Sequence, residues 1–266
     1  MISNIIIKLP LLIKNFLFQF YSYYTYSERY STDFKYYVKN FDQYNGISLL
    51  NPSSSVPLSK EIKILYGITT LKTISDFKVI DRSDLIMMLN HSDYYNKIKF
   101  DKSLSTSGST GAPLLIPIDN DFMKYKFASF YFFKNIHNCG INVKSGNFFG
   151  RKIFNLNKKN PPFWLHSIFT NQVLFSQYHV NEKNIRSYIS AIRKYKLKTI
   201  HGYPSVLAIF SEIVQKLNLE TEVHKIGLLC ITVGSETLSN VQKQIIQNTF
   251  NCKVLNFYGQ TEGVVD

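Results

Sequence analysis

The second half of the sequence alternates between short apolar runs and longer helical patterns. The apolar runs have the length of buried strands: GNFFG at 146–150, LKTIHGY at 197–203, KIGLLCITVG at 225–234 and KVLNFYG at 253–259. Strands that alternate with helices form right-handed βαβ units, in which the strands run parallel within one sheet. The sequence therefore predicts an α/β fold with mainly parallel sheets flanked by helices.

Several helices are predicted from the residues at which they would begin. Asn181 starts the pattern NEKNIRSYISAIRKY as a cap, Pro204 stands at a first helical position, and Ser239 precedes NVQKQIIQNTF as a cap. Asp119 precedes the apolar and aromatic run DFMKYKFASFYFFKNI, which predicts a buried helix. A further helix is predicted over residues 82–90, where acidic residues stand at the start.

The first twenty residues are apolar but do not form a membrane span. Lys8, Pro10 and Lys14 interrupt them well short of the roughly 20 apolar residues that a spanning helix needs, and the features of a secretory signal are missing. Apolar side chains recur at helical spacing at Leu9, Leu12, Ile13, Phe16, Leu17 and Phe20. They predict a helix that packs this face on the core, with a weak membrane-surface contact through residues 1–20 as the alternative.

Composition excludes disordered, collagen-like and disulfide-scaffold proteins. A chain of 266 residues with 45% hydrophobic and 18% charged residues can bury a sizeable core. The three cysteines form no CxxC pair and are too sparse for a thiolate zinc site. They fit a reducing compartment, so the expected location is cytoplasmic.

Positive charge is concentrated in the middle third of the chain. Residues 121–200 carry 14 basic and 2 acidic side chains and account for +12 of the overall +13. Such a field attracts an anionic partner, such as nucleic acid, anionic lipid, a polyphosphate or an acidic carrier protein. No helix-turn-helix, zinc-finger or RNP-type motif accompanies it, so nucleic acid is not the expected partner. A solvated lysine-rich surface is the alternative.

The most unusual segment is SLSTSGSTGAP at residues 103–113, in which Ser, Thr and Gly occupy all of positions 105–111. Small residues let a backbone approach a ligand closely, and hydroxyl and N–H groups donate to anionic oxygens, so the segment suits phosphate. It is neither a Walker A loop nor a GxGxxG motif. The alternative is a flexible linker, which the apolar LLIPI directly after it disfavours.

Two further segments place polar groups at the ends of predicted strands. TVGSETLS occupies residues 232–239, and YGQTEG at 258–263 follows the apolar KVLNF. The carboxyl ends of parallel strands are where α/β proteins bind ligands. An aromatic ring there can stack on a base, a hydroxyl can bond a phosphate, and a carboxylate can hold Mg²⁺. For residues 232–239 the alternative is a strand-to-helix turn that ends in the cap at Ser239.

Taken in order, STSGSTGAP, ITVGSETLS and FYGQTEG resemble the motifs of adenylate-forming enzymes, in particular the phenylacetate-CoA ligase-like family that includes CapK-type proteins of polysaccharide gene clusters. PPFWLHSIF, FSQYHVNEKNIRSYI and IHGYPSVLAIFSEI resemble the tract between these motifs in CapK-type members. The resemblance implies an incomplete large N-terminal domain. Residues 1–80 would be a helical, tyrosine-rich segment packed on the core, and residues 81–266 a nucleotide-binding α/β region truncated after YGQTEG.

The resemblance implies an ATP-dependent ligase that activates a carboxylic acid as an acyl adenylate and then transfers the acyl group to CoA, a carrier or an amine, in surface polysaccharide biosynthesis. It assigns the ATP phosphates to Thr106, Ser107, Gly108, Ser109, Thr110 and Gly111. It assigns adenine to Gly234, Ser235, Glu236, Tyr258 and Gly259. It assigns catalysis to Thr261 and Glu262, with Glu262 as the ligand of Mg²⁺.

Two departures from the family pattern bear on activity. Ala112 stands where many relatives have lysine, and the sequence stops four residues after Glu262, before the family's ribose-binding aspartate and adenylation lysine. The alternatives to an active ligase are an inactive or split fragment that retains nucleotide binding, and a basic nucleic-acid-binding protein. His201, in IHGYPS, is interpreted as a packing residue, because no Ser or Cys nucleophile motif accompanies it.

Overall fold

The computed structural model describes residues 9–26, 83, 84, 86, 102–105, 115–118, 120–140 and 142–259. The chain divides into two compact units, of which the larger comprises Met1–Val38 with Lys126–Asp266 and the smaller comprises Lys39–Tyr125. The predicted phosphate segment at 106–111, and Thr261 and Glu262, lie outside the described residues.

The smaller unit contains an antiparallel hairpin of β1 (Lys102–Ser105) and β2 (Leu115–Ile118). Ser105 pairs with Leu115 at the end of the ladder, directly beside the connecting residues that carry the predicted phosphate segment. In the predicted helix over 82–90, the described residues Ser83, Asp84 and Ile86 are helical.

A six-stranded sheet organises the larger unit. Its strands are β3 (Ser145–Phe149), β4 (Trp164–Ser167), β5 (Gln172–Ser176), β6 (Thr199–Gly202), β7 (Cys230–Gly234) and β8 (Lys253–Phe257). Their spatial order is β4-β5-β3-β6-β7-β8. Every neighbouring pair is parallel except β4 and β5, which form an antiparallel edge. The predicted α/β fold with a mainly parallel sheet is confirmed, whereas β4 and β5 were not predicted as strands.

The described helices are α1 (Leu11–Tyr26), α2 (Asn120–Ile136), α3 (Ile185–Lys194), α4 (Pro204–Lys216), α5 (Glu220–His224) and α6 (Asn240–Phe250). Helix α4 begins at Pro204 and α6 is capped by Ser239, as predicted. Helix α3 begins later than predicted, because Asn184 is its N-cap and the side chain of Asn181 accepts a hydrogen bond from the Asn184 N–H in the turn before it.

The hydrophobic core lies between the sheet and helices α3, α4 and α6. The rings of Phe148 and Phe175 stack at 4.8 Å, and Tyr188 packs against both of them. The Tyr188 hydroxyl donates to the Ser176 carbonyl at 2.6 Å, which satisfies its polar group inside the core. Burial raises the pKa of Tyr188 far above its ordinary value. Phe210 of α4 links this aromatic group to Phe250 of α6.

Helix α1 forms where it was predicted, but it packs with the opposite face. Leu11 and Phe18 contact the buried cluster of Ile153, Phe154 and Leu165. The exposed face consists of Leu12, Ile13, Phe16, Leu17 and Phe20, which are five of the six residues predicted to be buried. The predicted face was therefore wrong, because periodicity identifies an apolar stripe without indicating what covers it. No helix among the described residues has the length and hydropathy of a membrane span.

The sulfur atoms of Cys139 and Cys230 lie in contact, a pairing that was not predicted from the sequence. Both residues are fully buried, and they pack with Leu255 and Phe133 at the start of β7. They lie 91 residues apart in the sequence, so no local spacing announces the pair. Cys252 is a free thiol, and burial raises its pKa to about 12.

Candidate nucleotide site at the carboxyl edge of the sheet

The carboxyl ends of β7 and β8 bring the two segments predicted to hold adenine together. Gly234 is the last residue of β7, and the parallel ladder pairs it with Phe257, the last residue of β8. Ser235 and Tyr258 follow these two residues directly. The register therefore places both segments at one point of the sheet edge, where α/β proteins commonly bind ligands.

The end of β7 requires a glycine. A Cβ atom at Gly234 would lie 2.7 Å from the carbonyl oxygen of Phe257, which is closer than side-chain carbons approach backbone oxygens. The next residue, Ser235, has a φ of 66° and turns the chain away from the strand in a left-handed conformation. The turn brings the backbones of the two strands unusually close to each other at this edge.

Glu236 links this turn to the start of helix α4. Its carboxylate Oε2 accepts a hydrogen bond from the Ser205 N–H at 3.2 Å, in the first turn of the helix. A negative charge at a helix N-terminus is favourable, because the unpaired N–H groups there carry partial positive charge. The contact gives Glu236 a structural role and also fixes the position of the turn that carries Gly234 and Ser235.

Tyr258 continues from the end of β8 and is 46% exposed. The preceding ring of Phe257 turns the other way and packs between Phe130 and Phe133 of α2, at centroid distances of 4.9 and 5.2 Å. In the described part of the sheet, β8 is an edge strand with β7 as its neighbour. A half-exposed aromatic ring at a strand end is well placed to stack on a planar ligand.

His201 lies near the carboxyl end of β6, between the rings of Phe130 and Phe149 at 4.9 and 5.1 Å. Its Nδ1 is 3.0 Å from the Thr232 carbonyl oxygen, so Nδ1 carries the proton and donates it. Burial, together with the nearby charge of Lys134, lowers the pKa of His201 to about 4. The ring is therefore neutral at neutral pH, and the packing role predicted from the sequence agrees with its surroundings.

Two tyrosines near the carboxyl ends of the strands were not predicted as site residues. The Tyr178 hydroxyl donates to the Gly150 carbonyl at 2.7 Å. The Tyr203 hydroxyl lies so close to Gly150 that a Cβ atom there would be 3.3 Å from it. Tyr203 follows β6 directly, so its position after a predicted strand could have identified it as a candidate site residue. Tyr178 follows β5, and because β5 was not predicted, no such indication existed for Tyr178 in the sequence.

The predicted phosphate and Mg²⁺ ligands are not among the described residues. Within the described part of the chain, no group of three or more His, Cys, Asp or Glu side chains is arranged to hold a metal ion. Of the predicted site residues, the structure thus brings together Gly234, Ser235, Glu236, Tyr258 and Gly259.

A separate cavity of about 540 Å³ lies beside the edge strand β4 and contains none of the predicted site residues. Helix α1, strand β4 and the end of α3 line it with Leu11, Asn15, Gln19, Pro161, Pro162, Trp164, His166, Lys194 and Tyr195. Burial lowers the pKa of His166, and the charges of Lys144 and Lys194 add to this effect. This edge of the sheet is therefore positively charged as well as aromatic.

The chain is an α/β protein in which the residues predicted to bind adenine meet at the carboxyl ends of two neighbouring parallel strands. Protein CapK from Staphylococcus aureus is 27% identical to the chain over 237 residues, which are 89% of this chain and 49% of CapK. The chain thus spans about half the length of this relative. It is a CapK homologue, as expected from the sequence. No protein-family model matches the chain.

Solved structures of CoA ligases resemble parts of the chain. The open conformation of 2-hydroxyisobutyryl-CoA ligase, in complex with 2-HIB-AMP and CoA, aligns with a TM-score of 0.47 at 14% identity, over 81% of this chain and 51% of the ligase. A malonyl-CoA ligase, in a ternary product complex with methylmalonyl-CoA and AMP, aligns with a TM-score of 0.42 at 14% identity, over 62% of this chain and 33% of the ligase.

Proposed function

We propose that the chain is the nucleotide-binding part of a cytoplasmic ATP-dependent ligase that activates a carboxylic acid. The observation that carries this proposal is the homology to CapK together with the meeting of Gly234, Ser235 and Tyr258 at one point of the sheet edge. The acyl group would pass to CoA, an acyl carrier or an amine, in the assembly of a surface polysaccharide.

In the proposed reaction, a substrate carboxylate oxygen attacks the α-phosphorus of ATP, and pyrophosphate leaves. The acceptor then attacks the acyl carbon and AMP leaves. Neither step requires a nucleophilic side chain of the protein, so catalysis consists mainly of positioning and charge neutralisation. The hydroxyl and N–H groups of residues 106–111 would bind the leaving phosphates, and Thr261 would bond the α-phosphate. Glu262 would ligate Mg²⁺, which neutralises phosphate charge.

The geometry of the described residues supports an adenine position beside Tyr258. Its ring is half exposed at the strand end, and the register places it beside the turn of Gly234 and Ser235. The hydrogen bond from Ser205 to Glu236 holds that turn against α4. A flat base could therefore stack on the tyrosine and contact the backbone of residues 234 and 235.

Titration calorimetry with ATP and AMP tests the adenine position in the 266-residue chain. Because stacking of a base on an aromatic ring is worth about 1–3 kcal/mol, Tyr258→Ala should weaken the binding of both ligands by roughly 5- to 150-fold. Phe169→Ala is the matched control, since it removes an exposed ring between β4 and β5 at the other edge. Equal affinities in the Tyr258 variant and the control would remove Tyr258 from the site.

Carboxylate-dependent exchange of labelled pyrophosphate into ATP tests the reaction itself. It should be measured on the chain alone and with the part of CapK that the chain does not cover added, because the chain spans about half of that relative. We expect exchange when both parts are present, and its loss in Gly108→Val and in Glu262→Gln. Absence of exchange under both conditions, across a panel of carboxylic acids, would contradict the proposed activity. Undiminished exchange in Glu262→Gln would contradict the metal assignment alone.

A further inference from the structure

Helix α1 turns its more apolar face towards solvent. Within one arc of about 140° it exposes Leu12, Ile13, Phe16, Leu17 and Phe20. The exposed fractions of Leu12, Phe16 and Phe20 are 83%, 70% and 65%. Amphipathic helices of globular proteins normally turn such a stripe towards the core. The outward stripe of α1 therefore needs a covering partner.

The face of α1 that points inward is partly polar and is held by specific contacts. Lys14 is buried with its ammonium group 4.7 Å above the ring of Phe154. The side chain of Gln19 donates to the His166 carbonyl at 2.6 Å and accepts from the Ile168 N–H at 3.0 Å. These contacts fix the rotation of the helix about its axis. The outward apolar stripe is thus part of the folded structure.

Two further exposed apolar side chains lie on the turn between β4 and β5, which contacts α1. Gln19 joins α1 to this turn, where Ile168 and Phe169 are 69% and 55% exposed. We call the five exposed residues of α1 together with Ile168 and Phe169 the apolar platform. Exposed apolar surface of this kind marks a contact site for a partner or a membrane.

The charges of the segments that build this side of the molecule are all positive. Residues 1–27 and 122–181 contain no aspartate or glutamate. Burial lowers the pKa of Lys14 and of His166, and the nearby charges of Lys158 on Lys14 and of Lys144 and Lys194 on His166 add to this effect. Apolar side chains bordered by lysines of the described residues match a surface with an apolar interior and negative head groups.

We propose that the apolar platform seats the protein on the surface of an anionic lipid bilayer. The apolar side chains would enter the boundary between head groups and acyl chains, and the surrounding lysines would contact the lipid phosphates. A second copy of the chain is the less favourable occupant, because two such surfaces would bring lysines together with no carboxylates from these segments to pair with them. This inference is independent of the proposed ligase activity and extends beyond it.

Vesicle flotation of the 266-residue chain tests the proposal. We expect binding at low salt to vesicles of phosphatidylcholine with phosphatidylglycerol, and at least about tenfold weaker binding to phosphatidylcholine alone. Raising the salt to about 0.5 M should also weaken binding, because it screens the lysines. Absence of binding to the anionic vesicles, or equal binding to both kinds, would overturn the proposal.

A double variant, Leu12→Gln with Phe16→Gln, separates the platform from general lysine attraction. Its vesicle partition coefficient should fall by roughly 10- to 100-fold, since two exposed apolar groups no longer enter the bilayer. Val241→Gln is the matched control, because Val241 is 76% exposed on α6 at the far edge of the sheet. Circular dichroism of both variants should be unchanged, as the replaced side chains are at the surface.

Sedimentation without vesicles distinguishes the other occupant. A concentration-dependent dimer that Leu12→Gln with Phe16→Gln dissociates, and that Val241→Gln does not, would assign the platform to a second copy and overturn the membrane proposal. Retained vesicle binding in the double variant would also overturn it. Neither result would affect the ligase proposal, which depends on nucleotide binding at the opposite edge.

Discussion

The helices at the two edges of the six-stranded sheet, α6 beside β8 and α1 beside β4, place their apolar side chains in opposite ways. At the β8 edge, helix α6 buries Ile246 and Phe250 in the core and begins with a capping box at the surface. At the β4 edge, helix α1 buries a lysine and leaves its apolar stripe outside. At the β8 edge, Ile246 and Phe250 of α6 are thus buried in the core, and the strand ends carry polar groups. At the β4 edge, polar contacts set the rotation of α1 about its axis, and the apolar stripe of the helix is left for a binding partner.

The largest difference between the two regions should appear in stability. Phe210 is fully buried between Phe148 and Phe250, so Phe210→Ala should lower the free energy of unfolding by about 3–5 kcal/mol. Phe16→Ala on α1 removes a ring of the same size that is mostly exposed, and should change it by less than about 0.5 kcal/mol. Urea denaturation measures both. A cost above about 2 kcal/mol for Phe16→Ala would mean that α1 buries this face in solution.

The pH dependence of stability should come largely from His201. Its folded-state pKa of about 4 lies below the unfolded value of about 6.5, so unfolding takes up a proton between these pH values. The free energy of unfolding should therefore be fully present above about pH 6.5 and fall by up to about 3 kcal/mol as the pH approaches 4. His166 and His179, whose pKa values are also lowered, act in the same direction.

Substitution of His201 isolates its contribution to the pH profile. His201→Asn keeps a donor near the Thr232 carbonyl but does not titrate, so it should reduce the slope of the melting temperature against pH below about 6.5. His224→Gln is the control, because His224 hydrogen bonds to the Asn248 carbonyl at the surface. An unchanged slope in His201→Asn would show that the pKa of His201 does not differ between the folded and the unfolded protein.

A smaller effect is expected from the glycine at the end of β7. Gly234→Ala would place its Cβ 2.7 Å from the Phe257 carbonyl oxygen, and relief of this overlap should cost about 1–3 kcal/mol of stability. Gly150→Ala is a matched control at the same edge, since its nearest neighbour is the Tyr203 hydroxyl at 3.3 Å, the end of a side chain that can shift. Thermal denaturation of the two variants should rank Gly234→Ala as the less stable one.

The smallest effect concerns the cap of α6. Ser239 Oγ accepts from the Gln242 N–H at 3.2 Å, and the Gln242 side chain accepts from the Ser239 N–H at 3.1 Å. Ser239→Ala should lower the free energy of unfolding by about 1 kcal/mol. Gln244→Ala, at an exposed position of the same helix, should leave it nearly unchanged. Equal denaturation midpoints for the two variants would show that the capping box contributes nothing.

Regular parts of the fold were predictable because their signals are local. The apolar runs at 146–150, 197–203, 225–234 and 253–259 correspond to β3, β6, β7 and β8, and the helices that follow β6 and β7 begin where Pro204 and Ser239 predicted them. The antiparallel strand β4 was missed, because WLHS mixes polar and apolar residues and its pairing with β5 is set by contacts across the sheet edge.

The sequence alone determined the α/β class, the order of the parallel strands along the chain, and the kinship with CapK, because hydrophobic period, caps and motifs are written in neighbouring residues. Only the tertiary structure decided that Gly234 meets Phe257, that Glu236 binds the start of α4, and that Cys139 meets Cys230. It also decided which face of α1 is buried, since a helix with one apolar stripe turns according to the contacts of its other face, here through Lys14 and Gln19. Contacts between residues far apart in the chain leave no periodic trace in its sequence.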